Sequence, residues 1–142
     1  MIRLSTKVRY GARAMVDICL NCGAAPVLAR DVARRQGVSK KYLDSLLREL
    51  TTKGLLRSQR GAGGGFVLAR PAAEISMKQV IEALGGELAF TECTGANTCD
   101  SCGACAMHEL WLELKTLLND HLDRLSLLEM AKRQHQLCEV KK

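Results

Sequence analysis

The chain has 142 residues, which is enough for one domain with a substantial hydrophobic core. Its 47% hydrophobic and 25% charged residues are ordinary for a globular protein, and no apolar run approaches the ~20 residues that a membrane span requires. The basic residues at the start are not followed by the apolar segment of a secretory signal, so we expect a cytoplasmic protein.

The net charge of +6 is unevenly distributed along the chain. Residues 1–70 contain 14 Lys and Arg against 4 Asp and Glu, a net of +10, whereas residues 71–142 contain 7 against 11, a net of −4. A basic half joined to a mildly acidic half indicates that the first half meets a polyanion. The alternatives are a solvated charged surface and, less favoured, a membrane surface, because the basic residues do not form one amphipathic stripe.

Three predicted helices come first in the chain. Apolar residues recur at three- and four-residue spacing over 6–22, which predicts a helix there. A short helix over 29–36 is expected to stop at Gly37, and Ser39 is a favourable N-cap for a third helix over 40–53. The second and third helices, joined by a tight glycine-containing turn, are typical of a helix-turn-helix motif.

The third helix is the segment that would enter a major groove of DNA. Its polar side chains can contact phosphates or base edges. We expect the DNA-binding residues of this segment to be Ser39, Lys40, Lys41, Tyr42, Asp44, Ser45 and Arg48. An ordinary pair of packed helices has a similar pattern, so the motif needs support from the sequence that follows.

A glycine-rich hairpin follows the third helix. Residues 55–60 and 66–70 are predicted strands on either side of a turn that is rich in glycine. Gly63 and Gly64 let the backbone approach a sugar-phosphate surface, and Arg60 could reach the minor groove. A nucleotide-phosphate loop is excluded, because there is no Gly-Lys-Ser/Thr ending and the glycines lead into a strand. A helix-turn-helix followed by such a hairpin predicts a winged helix.

The second half is predicted to be mostly helical. Ser76 would cap a fourth helix over 77–84, and a cysteine-rich loop over 89–106 precedes a long helix from about residue 107. The apolar stripe of that helix exceeds what one small domain can bury, so we interpret it as a dimerisation helix. Packing on its own domain is the alternative. Ser126 begins a capping-box pattern that could break the helix near residue 125.

The predicted fold is mainly α with a small β wing: a winged helix-turn-helix joined to a long C-terminal dimerisation helix. Within one compact domain we distinguish a DNA-binding region, a connecting helix with the cysteine-rich loop, a dimerisation helix and a flexible tail, over residues 1–73, 74–106, 107–133 and 134–142.

Cysteines are clustered in the loop before the long helix. Cys93, Cys99, Cys102 and Cys105 lie within thirteen residues, and His108 follows them. Without an export signal, clustered cysteines more often bind metal or perform redox chemistry than form a disulfide scaffold. Thiolates suit iron–sulfur clusters, zinc or copper, and a histidine ligand raises a cluster's potential. This chemistry does not decide between zinc and iron–sulfur, and a disulfide switch is a third alternative.

Other candidate ligands have weaker claims. Cys19 and Cys22 form a Cys-x2-Cys pair that would share a helix face, but small buried cysteines are the commoner explanation. His121 lies on a helix seam, and His135 and Cys138 lie in the predicted tail. We find no nucleophile–base pair and no cofactor loop, so we do not expect an enzyme.

These motifs together resemble the Rrf-two family of bacterial winged-helix transcription regulators, over about residues 2–133. The motifs that carry the resemblance are Leu4-Ser5-Thr6-Lys7-x-Arg9-Tyr10, Gln36-Gly37-Val38-Ser39-x-x-Tyr42-Leu43, Arg60-Gly61-x-Gly63-Gly64-Gly65-Phe66, Cys93-x5-Cys99-x5-Cys105-x2-His108 and His108-x-Leu110-Trp111.

The resemblance implies a homodimer with crossed long helices and a bound cofactor. In the cluster-binding members, three cysteines and one histidine hold a 2Fe–2S cluster whose occupancy changes which operators are bound. The matching positions here are Cys93, Cys99, Cys105 and His108. Cys102 is an additional cysteine, which could replace His108 or support a 4Fe–4S cluster.

The resemblance also implies which residues read the operator. The base-reading positions of the family match Lys41, Asp44 and Ser45, and its wing arginine matches Arg60. Asp44 stands where members carry a glutamate tied to site discrimination, so the operator preference is open. Nitric-oxide-sensing members use an acidic ligand from the partner's first helix, and the matching Arg9 cannot ligate.

We therefore predict a homodimeric regulator that binds a double-stranded DNA operator and senses iron–sulfur or redox status through a cluster, 2Fe–2S rather than 4Fe–4S. Cluster binding is expected to order the loop and reposition the two recognition helices. The alternatives are a zinc- or thiol-dependent DNA-binding regulator and a 4Fe–4S nitric oxide or redox sensor of the same family.

Overall fold

The computed structural model describes residues 3–95 and 99–140. Within these residues the chain forms α1 (Thr6–Asn21), α2 (Ala29–Gln36), α3 (Lys40–Thr52), β1 (Leu56–Gln59), β2 (Gly65–Leu68), α4 (Met77–Gly85), α5 (Ala106–Arg124) and α6 (Leu127–Glu139). Short 3₁₀ helices cover Ala72–Glu74, Glu92–Thr94 and Cys102–Ala104. The mainly helical architecture with one small sheet is the predicted fold class.

Serine side chains begin four of the helices in the described part of the chain. The hydroxyl oxygens of Ser5, Ser39, Ser76 and Ser126 each accept a hydrogen bond from the backbone N–H three residues later, at the start of α1, α3, α4 and α6. Each bond satisfies a donor that the first helical turn would otherwise leave unpaired. Most of the described α-helices therefore begin at a serine whose side chain caps the first turn.

The turn between α2 and α3 depends on one glycine. Gly37 has a φ of +67°, a left-handed conformation that glycine adopts without steric cost. The N–H of Val38 donates to the Ala33 carbonyl at 3.1 Å, which closes the end of α2. The chain then reverses into α3 within three residues, as a helix-turn-helix requires.

The hydrophobic core lies where α1, α3 and α4 meet, with α2 and α6 packed against α1. The side chains without solvent exposure include Met15, Ile18, Val32, Leu43, Leu47, Leu50, Ile75, Val80 and Leu127. The leucines of α3 line one helix face, so the opposite face is left for solvent or a partner.

The wing is an antiparallel hairpin held to the rest of the domain by a third segment. Leu56 pairs with Leu68, and Gln59 pairs with Gly65. Val27, between α1 and α2, exchanges two backbone hydrogen bonds with Phe66, at 2.9 and 2.8 Å. The base of the wing is therefore fixed relative to the helix-turn-helix.

The end of the long helix returns to the DNA-binding half. Ser126 forms an isolated antiparallel bridge with Ser76. The Met77 N–H donates to the Leu125 carbonyl, and the Leu127 N–H donates to the Ile75 carbonyl, both at 2.8 Å. The fully buried Leu127 then directs α6 onto α1.

Helix boundaries differ from the sequence predictions mainly at the C-terminal end. The sequence predicted one helix over 107–133 and a flexible tail over 134–142, with a break near residue 125 as a possibility. The structure has that break, and α6 then continues to Glu139. The break arises because Leu125 and Ser126 adopt extended backbone and the segment there bridges to Ser76, with backbone hydrogen bonds between residues 125–127 and 75–77. No helix in the described ranges is long and apolar enough to cross a membrane.

Candidate functional site

The exposed face of α3 brings together most of the predicted DNA-binding residues. The side chains that line one shallow depression on this face are Lys40, Lys41, Asp44, Ser45 and Arg48. They are held there because the leucines on the other face of α3 are buried in the core. The result is a mostly cationic helix surface of the kind that fits a major groove.

Charge on this face is partly neutralised. The Lys40 ammonium lies 2.6 Å from the Asp44 carboxylate in an i, i+4 ion pair. Within the described residues, neither Lys41 nor Arg48 has an ion-pair partner. Ser45 donates its hydroxyl to the Tyr42 carbonyl at 2.7 Å, so its oxygen remains able to accept a hydrogen bond. Lys41 and Arg48 are therefore the cations most available for phosphates or bases.

Two of the predicted contact residues also have structural roles. The hydroxyl of Ser39 caps α3 by accepting from the Tyr42 N–H at 3.1 Å. The half-buried Tyr42 ring packs edge-on against Tyr10 of α1, with ring centroids 6.3 Å apart. These contacts position the start of α3 on α1.

Two arginines of α1, which the sequence analysis did not assign to the DNA surface, lie beside this contact. The Arg9 and Arg13 guanidinium carbons lie 6.0 and 5.3 Å from the centroid of the Tyr10 ring. They extend the cationic surface from α3 onto α1. The i, i+4 spacing of Arg9 and Arg13 indicates from sequence that they share a face of α1. Their proximity to α3 depends on tertiary packing and had no sequence signal.

The wing carries its predicted residues at the turn. Arg60 and Gly63 are exposed, and the Gly64 N–H donates to the Gly61 carbonyl at 3.0 Å to close the turn. A Cβ on Gly64 would lie 2.4 Å from the Gln59 carbonyl oxygen, whereas a Cβ on Gly63 would meet nothing within 4 Å. Gly64 is therefore required by the turn itself, and Gly63 is not.

In the cysteine loop, two thiols are in direct contact. The Sγ atoms of Cys99 and Cys102 lie 3.4 Å apart, and Cys102 Sγ accepts from the Cys99 N–H at 3.2 Å. The hydrogen bond with Cys102 lowers the pKa of the exposed Cys99 thiol, with smaller contributions that include the Cys93 thiol. The same Cys99–Cys102 bond raises the pKa of Cys102.

Cys93 and Cys105 lie at the two sides of this pair in sequence. Cys93 is half-buried in a 3₁₀ helix, with its Sγ 3.1 Å from the Thr91 hydroxyl. Cys105 precedes α5, and its carbonyl accepts from the His108 N–H at 3.0 Å. The loop thus offers several soft sulfur ligands close to the start of α5.

His108 carries an unsatisfied buried nitrogen. Its Nδ1 atom is buried and has no hydrogen-bond partner in the described part of the chain. A buried polar atom without a partner is costly, and metal coordination is one way to satisfy an imidazole nitrogen. The donor set therefore suits a thiolate- and imidazole-ligated group. Among residues 3–95 and 99–140, however, no three His, Cys, Asp or Glu side chains are already arranged around a metal position.

A lysine of α5 attaches the loop to the long helix. Lys115 donates to the Thr94 carbonyl at 2.6 Å and also pairs with Glu87. Thr94 is buried and accepts from the N–H groups of Phe90 and Thr91, both at 3.2 Å. The 3₁₀ segment that holds Cys93 is thereby tied to α5, a link that no sequence motif indicated.

A further cysteine pair lies at the end of α1. Cys19 and Cys22 are half-buried and pack against the hydrophobic core. Burial raises the pKa of Cys19, and the neighbouring Cys22 thiol raises it further. A thiol with a raised pKa, such as that of Cys19, is a weak nucleophile and a poor metal ligand, because both roles require the thiolate.

A recognition helix with a cationic face, followed by a hairpin wing with an exposed arginine, defines a winged-helix DNA-binding protein. A family model described as Rrf2, Iron-dependent Transcriptional regulator, matches residues 4–133. The chain therefore belongs to the Rrf2 family of DNA-binding transcription regulators, which confirms the resemblance seen in the sequence.

Individual relatives support this assignment. The HTH-type transcriptional regulator IscR of Escherichia coli (strain K12 / DH10B) is 38% identical over 136 residues, covering 96% of this chain and 84% of the relative. The structure of CymR (YrzC), the global cysteine regulator of B. subtilis, has a TM-score of 0.80 at 29% identity, covering 94% of this chain and 98% of CymR. T. potens IscR has a TM-score of 0.76 at 33% identity, covering 94% and 88%.

These relatives confirm the winged-helix architecture and the regulatory class, which is one of transcription regulators rather than enzymes. The family is described as iron-dependent, whereas CymR is described as a global cysteine regulator.

Proposed function

We propose that this protein is a homodimeric, cytoplasmic regulator that binds a double-stranded DNA operator and senses iron–sulfur or redox status through a cluster in the cysteine loop. The observation that carries the proposal is the buried Nδ1 of His108, which has no hydrogen-bond partner among residues 3–95 and 99–140 and lies three residues after Cys105, next to a loop rich in thiols. A nitrogen ligand beside sulfur ligands is the donor set of a mixed Cys/His cluster.

The proposed ligands are Cys93, Cys99, Cys105 and His108, with Cys102 as the alternative fourth ligand. A bound cluster, 2Fe–2S before 4Fe–4S, would supply one-electron redox chemistry and sensitivity to oxidants. The described residues do not present a ready-made ligand set, so binding must reorganise the loop. The contact between Cys99 and Cys102 is the interaction that this reorganisation would break.

DNA binding is assigned to the α3 face and the wing. Lys41 and Arg48 supply cations for phosphates or guanine edges, and Ser45 supplies an acceptor. Asp44 is engaged by Lys40, so it contributes to base discrimination through that pair rather than as an isolated carboxylate. Arg60 at the wing turn would enter the adjacent minor groove.

Dimerisation is assigned to α5. This helix has no buried residue in the single chain, although it carries several large apolar side chains. The most exposed of these are Met107, Leu110, Leu112 and Leu117. Met107, Leu110 and Leu117 lie on one side of the helix, whereas Leu112 lies on the other. An apolar stripe such as the one that Met107, Leu110 and Leu117 form favours burial against the same helix of a second copy.

The loop and the DNA-binding half are linked through α5. Lys115 ties α5 to the segment that holds Cys93, and the bridge between Ser126 and Ser76 ties the other end of α5 to the start of α4. Ordering of the loop would therefore shift α5 and change the spacing of the two recognition helices. A coupling of about 1–3 kcal/mol is sufficient to change operator choice.

The first test is an anaerobic purification followed by an absorption spectrum and iron and sulfide analysis. We expect a coloured protein with about two irons and two sulfides per chain. We expect His108→Ala to lose the cluster and Cys102→Ala to retain it. About four irons, lost with Cys102→Ala, would replace the 2Fe–2S assignment by 4Fe–4S.

A colourless protein that carries one zinc per chain would overturn the cluster and leave the DNA-binding function. A protein that retains the cluster but binds every operator equally in its cluster-bound and cluster-free forms would overturn the sensing mechanism. The duplexes for this comparison are the sequences that the protein itself binds when it is offered a library of randomised DNA.

A second candidate is a regulator that responds to thiol status without a metal. The structural similarity to CymR, a global cysteine regulator, favours it. In that case the purified protein contains neither iron nor zinc, and operator affinity changes on thiol oxidation alone. The same metal analysis therefore separates the two candidates.

A further inference from the structure

Cys102 lies outside the proposed set of three cysteines and one histidine, yet its thiol is in direct contact with the thiol of Cys99. Its Sγ lies 3.4 Å from that of Cys99, about 1.4 Å beyond the length of a disulfide bond. The backbone already holds the two residues together, because the Cys102 N–H donates to the Cys99 carbonyl at 3.2 Å. Turns closed by this bond keep the two Cα atoms within about 7 Å, which overlaps the range of disulfides.

The surroundings of the thiols favour a pairing of Cys99 with Cys102 over a pairing of Cys99 with Cys93 or Cys105. The Cys93 thiol contacts the Thr91 hydroxyl at 3.1 Å, and its interaction with the Cys99 thiol is weaker than that of Cys102. Cys105 is the residue immediately before α5. Cys99 is exposed, so a small disulfide can reach its sulfur, whereas Cys102 is half-buried. An accessible thiol with a second thiol in contact is the arrangement of a reactive and a resolving cysteine.

We propose that Cys99 and Cys102 form a reversible disulfide in the cluster-free protein. The Cys99 thiolate attacks one sulfur of a low-molecular-weight disulfide, whose S–S bond breaks to release one thiol and leave a mixed disulfide on Cys99. The Cys102 thiolate then attacks Cys99 Sγ and expels the second thiol. Two cysteine thiols are oxidised by two electrons, the small disulfide is reduced to two thiols, and the cysteine protons pass to the released thiolates.

The disulfide has a regulatory consequence that rests on the proposed function. Cys99 is one of the proposed cluster ligands, so its oxidation removes a thiolate that the cluster requires. Cys102 is not one of the three, so its role is to hold Cys99 in the oxidised state. The pair thereby prevents reloading of the cluster under oxidising conditions and allows it after reduction.

The test uses the full chain, stripped of metal by a chelator, reduced, and then equilibrated anaerobically with mixtures of oxidised and reduced glutathione. Free thiols are alkylated, and the protein is analysed by intact mass and peptide mapping. We expect two thiols to become protected together, mapped to a Cys99–Cys102 linkage. Cys102→Ser should abolish the linkage, and Cys138→Ser, at an exposed cysteine outside the loop, should leave it intact.

Full alkylation of both thiols at every ratio, or a Cys99 linkage to Cys93 or Cys105 instead, would overturn the proposed pairing. In a second arm, the oxidised protein is freed of glutathione and offered ferrous iron and sulfide, with and without dithiothreitol. We expect roughly tenfold less cluster without the reductant. Equal loading in both samples would overturn the regulatory role. A mapped disulfide together with no cluster in either sample would overturn the proposed function and leave the thiol chemistry standing.

Discussion

Asp17 is a buried carboxylate that joins α1 to the helix-turn-helix. Its side chain is only 6% exposed, and it accepts hydrogen bonds from Arg35 at 2.6 to 3.1 Å and from Gln36 at 2.9 Å. The hydrogen bond to Asp17 raises the pKa of Arg35, so the guanidinium remains charged. A buried charge is tolerated only when it is paired and hydrogen-bonded, which is the case here.

Substitution Asp17→Ala should lower the free energy of unfolding by roughly 2 kcal/mol, less than for a fully buried pair because Arg35 is partly exposed. The loss arises because the guanidinium and the Gln36 amide lose their acceptor. Urea denaturation followed by circular dichroism measures it. Asp31→Ala is the matched control, since Asp31 pairs with the exposed Arg34 at 3.3 Å and should change stability by less than about 0.5 kcal/mol. Equal effects of the two substitutions would contradict this account.

Several site residues were predictable from residue type and spacing, and others were not. The polar face of α3 followed from the leucine periodicity, because burying one helix face exposes the other. The cysteine spacing indicated the ligand chemistry of the loop. The burial of the His108 Nδ1 atom, which has no partner within the described residues, and the role of Lys115 had no sequence signal, because both depend on contacts between segments that are distant in sequence.

At the scale of elements, the wing shows how local backbone geometry restricts side chains. Gly64→Ala would place a Cβ against the Gln59 carbonyl, a backbone atom that cannot move without opening the turn. We expect it to destabilise the hairpin by about 1–3 kcal/mol and to weaken binding to duplex DNA, with little change in the unfolding of the helical core. Hydrogen exchange of the hairpin amides and fluorescence anisotropy measure the two effects.

Gly63→Ala is the control within the same turn. A Cβ at Gly63 meets nothing within 4 Å, so the hairpin should remain intact. If Gly63→Ala weakens DNA binding as much as Gly64→Ala while leaving the hairpin amides protected, then close approach of the backbone to DNA at position 63, rather than turn geometry, determines affinity.

Element boundaries were predictable where a single residue determines them. The predicted helix over 29–36 matches α2, because Gly37 ends it in a left-handed conformation. The capping pattern at Ser126 indicated the break between α5 and α6. The extent of α6 to Glu139 was not predicted, because Leu137 and Cys138 alone are apolar among residues 132–139. The place of α6 on α1 comes from the buried Leu127.

At the scale of the whole molecule, the exposed apolar side chains of α5 lead us to expect a dimer. Leu117 on this helix is 66% exposed, and we expect it to lie in the dimer interface. Leu117→Asp should shift the protein toward monomer, because each copy loses a buried leucine worth about 1.5–3 kcal/mol. Two copies lose it together, so the dissociation constant should rise by roughly a hundredfold or more. Sedimentation equilibrium measures the change.

Leu137→Asp is the control on α6, where Leu137 is 62% exposed. It introduces the same charge on the same type of exposed side chain, but on a different helix. Dissociation caused by Leu137→Asp and not by Leu117→Asp would place the interface on α6. A wild-type chain that sediments as a monomer would remove the dimer from the proposal.

The bridge between Ser76 and Ser126 limits how this protein could have been assembled from smaller parts during evolution. Leu127 directly follows Ser126 of this bridge and packs in the hydrophobic core of the DNA-binding half with no exposure to solvent. A gene segment that ends after the wing would lack this side chain and leave a cavity that costs about 2–5 kcal/mol. The winged helix of this chain would therefore be destabilised if it were transferred without α6. Recombination that preserves the fold must transfer the C-terminal helix with it, so the DNA-binding half and the C-terminal helix are inherited as one unit.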